Sequence, residues 1–131
     1  GAFKKQAELD PQDSDALIAE GWAWQQDGQY ANSAGAYEAA VKLAPDKTAL
    51  WEGLAVCYTA LGRPNDALEA AQKALQDNPD SVTALLVQGQ VLAAQGNATE
   101  ARDAYDRAKS LVAGNDALVQ AIDAALAALQ P

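Results

Sequence analysis

Gly28, Gly62 and Gly96 stand thirty-four residues apart, and the chain around each follows one plan. Leu17, Trp51 and Leu85 share a place in that plan, as do Gly21, Ala55 and Gly89, and then Trp24, Tyr58 and Leu92. Beyond the glycine come Ser33, Ala67 and Ala101, then Tyr37, Ala71 and Tyr105, then Ala40, Ala74 and Ala108. Pro45 and Pro79 close the first two units, and Ala113 stands at that place in the third. A plan held in register through three units without an insertion is the mark of a stacked solenoid. Each unit is too small to bury its own apolar face and must lean on the next copy.

The spacing inside a unit is helical. Trp51, Leu54, Ala55 and Tyr58 fall three and four residues apart and so share one helix face. Gly62 and Pro64 punctuate the chain, a second face follows with Ala67, Ala71, Ala74 and Leu75, and Pro79 stops it. The fold class is therefore all-α, an αα superhelix of antiparallel hairpins. Helices are expected near 15–27, 31–44, 48–61, 64–78, 82–95, 98–112 and 116–129. Asp13 or Ser14 is expected to cap the first, Asn97 with Glu100 to form a capping box, and Asn115 to cap the last. In that last helix Leu118, Ile122, Ala125, Leu126 and Leu129 make one apolar stripe.

These residues resemble the tetratricopeptide repeat. The resemblance covers residues 14–115 and part of each flank, and departs at Glu20, Gln88, Ala71 and Ala113. It implies one domain over 1–131, with repeats at 14–47, 48–81 and 82–115 and a capping helix at 116–131. Residues 1–11 fit the second helix of a truncated preceding repeat, with Phe3 at its aromatic place. The chain thus reads as a fragment of a longer protein, or as a natural start with an isolated helix. Its alanine-rich, acidic composition reads as bacterial; the compartment, cytoplasmic or periplasmic, stays open at this point.

Chemistry is sparse. The chain holds no histidine, which removes the commonest general base and metal ligand. The single cysteine, Cys57, excludes an internal disulfide framework and a thiolate metal cluster. It has no neighbouring cation to activate it and reads as a small core residue. The periodic glycines follow no strand and precede no lysine, so they cradle no phosphate. Asp103 and Asp106 read as solvated acids. No catalytic residue, metal ligand or cofactor is expected, and the chain is not expected to be an enzyme. A net charge of −9 opposes a nucleic-acid partner or an anionic membrane and leaves a basic partner as the sharper alternative to a merely self-repelling surface. No apolar run approaches the length of a membrane span, so membrane insertion is not expected.

The resemblance implies that the first helix of each hairpin lines a concave groove. Its lining positions are Asp15, Ile18, Ala19, Trp22, Gln25 and Gln26 in the first repeat and Ala49, Glu52, Gly53, Val56, Thr59 and Ala60 in the second. In the third they are Thr83, Leu86, Val87, Gln90, Ala93 and Ala94, and the last helix would add Gln120, Ala121 and Ala124. One subclass of the family grips chaperone C-terminal carboxylate tails with lysine, asparagine and arginine. Here those places hold Ile18, Trp22, Gly53, Thr83 and Val87, so such a tail is not the expected partner. Instead Trp22, Ile18, Val56, Leu86 and Val87 form an apolar strip. The expected function is a protein–protein interaction module, an adaptor or scaffold. It would bind an apolar peptide or an amphipathic helix in the groove. The alternatives are a self-associating module that builds a homo-oligomer, or a non-catalytic domain of a larger assembly or secretion machine.

Overall fold

The computed structural model of the chain describes residues 13–129. Among them are seven helices and no strand: α1 (Asp13–Gln26), α2 (Tyr30–Leu43), α3 (Thr48–Ala60), α4 (Pro64–Asp77), α5 (Val82–Ala94), α6 (Ala98–Leu111) and α7 (Asp116–Ala128). Every helix lies within two residues of its expected span. The preceding half-hairpin expected at residues 1–11 lies outside the described residues.

Three hairpins form by one device. Gly28, Gly62 and Gly96 have φ of +77°, +74° and +84°, the left-handed region that a side chain opposes. At each, the residue after the glycine donates its N–H five residues back: Gln29 to Trp24 O, Arg63 to Tyr58 O and Asn97 to Leu92 O, at 2.8–2.9 Å. The glycine N–H reaches the carbonyl three back, at 3.0–3.2 Å. This pair of bonds satisfies carbonyls that the helix end leaves open and reverses the chain in the same way each time. Pro64 then opens α4 at a position where its missing N–H is not needed.

Within hairpins α1 packs on α2, α3 on α4 and α5 on α6; between them α2 packs on α3, α4 on α5 and α6 on α7. Side-chain size sets these seams. The ring of Tyr37 lies between two glycines: a Cβ built on Gly21 would sit 2.8 Å from it, and one on Gly53 2.6 Å from it. Tyr105 lies as closely over Gly89. The second repeat inverts the scheme, with small Ala71 at the ring's place. Val87 fills the position one repeat beyond Gly53 and joins Ala71 in one buried cluster. Small against large is kept, and the core stays closed.

Buried polar groups are bonded. Ser33 Oγ donates to Gly21 O at 2.6 Å, and the Cys57 thiol donates to Ser33 Oγ at 3.2 Å, tying three helices together. Ser81 caps α5 by accepting the Ala84 N–H, and Asn115 caps α7 by accepting that of Leu118. Two cap expectations need correcting. Asn97 makes no side-chain cap bond, because the glycine turn already orders that helix start. Helix α1 begins at Asp13, which puts Ser14 in its first turn. At the far end Ile122 is buried, with Leu118, Ala125, Leu126 and Leu129 packed around it, and Lys109 pairs with Asp123 at 2.6 Å.

Candidate functional site

The first helices of successive hairpins touch: α1 packs on α3 and α3 on α5, whereas α2, α4 and α6 do not pack on one another in this way. The first helices therefore lie together along the inner curve of the stack and the second helices spread along the outer one.

The expected lining residues fall into three groups. Asp15, Ala19, Trp22, Gln26, Ala49, Thr83 and Gln90 are exposed, as are Ala60, Ala94, Gln120, Ala121 and Ala124. Ile18, Gln25, Glu52, Val56, Thr59, Leu86 and Ala93 are half-buried. Val87 is only 4% exposed and belongs to the core, and Gly53 is covered by Tyr37. The cause is the size inversion at Ala71: the space its methyl leaves is taken by Val87, which sequence position alone assigns to the groove. Of the rest of the strip, Trp22 is exposed and Ile18, Val56 and Leu86 are half-buried. Trp22, 59% exposed, is the most exposed large apolar side chain of the described residues. Ile18 and Val56 pack against the core from the same helices and present only part of their surface.

Polar groups tie neighbouring first helices together. Lys47, just before α3, pairs with Asp15 of α1, and Ser81, just before α5, donates its hydroxyl to Glu52 of α3. Lys47 and Ser81 are one repeat apart, so a single position makes both ties. Tyr37 Oη donates to Gln25 Oε1 at 3.3 Å, and Thr59 Oγ1 turns back to Ala55 O at 2.8 Å. These ties were not legible from single residues, although the shared position of Lys47 and Ser81 was available as a signal. Charge is also segregated. Helices α1, α3, α5 and α7 contain no lysine or arginine. The described cations stand on second helices or in turns, such as Lys73, Arg107 and Lys109, or Lys47 and Arg63.

The outer side holds two shallow clefts that sequence reasoning missed. In one, Trp51 Nε1–H donates to Pro45 O at 2.7 Å while Lys73 Nζ stands 5.0 Å from the indole ring. In the other, one repeat on, Arg107 reaches Pro79 O at 3.4 Å. Nearby, Arg63 lies 4.4 Å over the Tyr58 ring, whose hydroxyl donates to Glu38 Oε2 at 2.6 Å. Burial, and then that bond, raises the Tyr58 phenol well above its ordinary range. Burial likewise raises the thiol of Cys57, which is the opposite of an activated nucleophile. Among the described residues no group of three or more His, Cys, Asp or Glu could hold a metal ion, and no helix is long and apolar enough to cross a membrane.

Stacked antiparallel helix pairs with their first helices gathered on one side define a helical-repeat solenoid, a class that offers an extended surface to another protein. The chain belongs to the tetratricopeptide repeat family: models of that repeat match residues 25–70 and 58–117. Among characterised proteins, it is 33% identical over 102 residues to the tetratricopeptide repeat and J domain-containing co-chaperone DNJ1 of Cryptococcus neoformans, covering 76% of this chain and 18% of that protein. It is also 33% identical over 92 residues to the photosystem I assembly protein Ycf3 of a Synechococcus strain, covering 68% of this chain and 53% of that one. The chain thus spans about half or less of the length of these relatives. Its fold is similar to the Yersinia enterocolitica type III secretion translocator chaperone SycD (TM-score 0.85, 18% identity, 92% of this chain and 85% of that one). SycD in complex with a peptide of the translocator YopD aligns with a TM-score of 0.81 at 19% identity, over 88% of this chain and 90% of that one. PcrH in complex with the chaperone binding region of PopD aligns with a TM-score of 0.80 at 20% identity, over 88% of this chain and 89% of that one.

Proposed function

We propose that the inner face of α1, α3 and α5 binds an apolar segment of a partner protein, with Trp22 as the principal anchor. The observation that carries this reading is the exposure of Trp22 on a face whose neighbours Ile18, Val56 and Leu86 are half-buried and apolar. A tryptophan left in water beside such a strip gives a large area to bury and is a frequent hot spot of interfaces. The peptide complexes of similarly folded chaperones support a polypeptide occupant. In this reading Gln25, Gln26 and Thr83 edge the strip, α7 covers the last apolar face of the stack, and Val87 acts from beneath as part of the floor.

The test is Trp22→Ala in the whole chain. Partner capture should weaken by about 2 kcal/mol or more while helicity and melting hold. A collapse of the fold would place Trp22 in the core and end the reading. Light scattering over a concentration series separates a partner groove from a self-associating face, because only the latter raises the mass as the chain is concentrated.

A further inference from the structure

Glu52 interrupts the strip at its middle. In the repeat register it stands between Ile18 and Leu86, at the same place on the helix between theirs. It is half-buried, and the Ser81 hydroxyl holds its Oε2. A carboxylate has further lone pairs, and Oε1 is left for another donor. Among the described residues no cation is set against it. The first helices have none, Lys47 is engaged by Asp15, and among the described residues no ion pair involves Glu52. An entirely apolar segment laid along the strip would strip water from Glu52 and give nothing back, which is unfavourable.

We infer that the groove selects a segment carrying one lysine or arginine between two apolar anchors, with the cation meeting Glu52 and the anchors meeting Trp22 on one side and Leu86 on the other. This rests on the groove reading above and adds the chemistry of the occupant. Width favours an extended backbone. The strip is one i, i+4 pair wide on each helix (Ile18 with Trp22, Glu52 with Val56), about 6 Å along the axis. That is less than the 10–12 Å or so of a helix with its side chains and close to the roughly 4.8 Å spacing of an extended strand. Neighbouring helix axes lie about 8–10 Å apart, which an extended chain crosses in about three residues. The pattern is therefore apolar, two spacers, cation, two spacers, apolar.

An array of heptapeptides tests it, with Leu, Ile, Phe or Val at the ends, Ser as spacer, and Lys, Arg, Met or Glu at the centre. Binding to the whole chain is read by fluorescence polarisation. Lys and Arg centres should bind about tenfold or more tighter than Glu centres. Glu52→Gln, which keeps an acceptor for Ser81, should erase most of the difference, and Glu52→Lys should reverse it, with circular dichroism checking the fold. Equal binding of all centres, lost in Trp22→Ala, overturns the cation preference and leaves the groove standing. Binding of none, or binding indifferent to Trp22→Ala, overturns both.

Discussion

The ring of Tyr37 in α2 lies directly on the backbone of Gly53 in α3, so that a Cβ added there would come within 2.6 Å of two ring carbons. Real Cβ atoms do not approach that closely, and the ring is held from its other side by Gly21. The contact joins the first hairpin to the second.

Gly53→Ala should therefore destabilise the chain although alanine is the better helix former. The propensity gain is about 1 kcal/mol, and overpacking of a closed seam loses about 1–3 kcal/mol. Gly35 is the control. It lies exposed in α2 with nothing within 4 Å of an added Cβ, so Gly35→Ala should stabilise by about 0.5–1 kcal/mol. Urea midpoints of the two variants should move in opposite directions.

The second seam predicts an exchange. Ala71→Tyr brings a ring against Val87 and should destabilise by about 1–3 kcal/mol. Adding Val87→Gly recreates the pairing of Tyr37 with Gly53 and should recover much of that loss. A double-mutant cycle should show favourable coupling of about 1 kcal/mol or more; strict additivity would show that these residues do not share a seam.

Ser81→Ala removes both the cap of α5 and the hydroxyl that holds Glu52. The cap alone is worth about 1 kcal/mol. Thermal melting should fall accordingly, and Ser81→Asn, which keeps the cap acceptor, should recover most of the loss.

Stability should fall on the alkaline side. Burial raises the Cys57 thiol above its ordinary 9.0 and the Tyr37, Tyr58 and Tyr105 phenols above their ordinary 10.0. Each group loses its proton more readily unfolded than folded. The folded state therefore keeps more protons, and unfolding is favoured as pH rises past the unfolded values. Denaturant midpoints should be flat through neutral pH and decline above about pH 9, where free thiols begin to ionise. In the native state Cys57 should resist alkylation until the chain opens, since it is fully buried.

The helices and hairpins were legible because glycine, proline and apolar spacing act locally, and local signals repeated three times leave little freedom. Inner-face residues were harder to read. Val87 holds a lining position, yet it is drawn into the core because Ala71, sixteen residues earlier in the sequence, is small. Position within a repeat predicts direction; it does not predict what the facing helix has left unfilled. The ties from Lys47 and Ser81 failed to appear for a similar reason, since each depends on which acid the preceding helix happens to offer. At Asn97 the expected box was displaced by a turn whose backbone bonds had already done that work.

Arrays of near-identical units run a particular hazard during folding, in which one unit docks against the wrong neighbour and traps a shortened or swapped stack. The alternation at the seams opposes it. If the middle unit were looped out, Tyr37 would meet Val87 instead of Gly53, and two bulky groups would compete for one space. The order of the units is thus written in steric keys, and a variant lacking residues 48–81 should assemble poorly even though every remaining hairpin is intact.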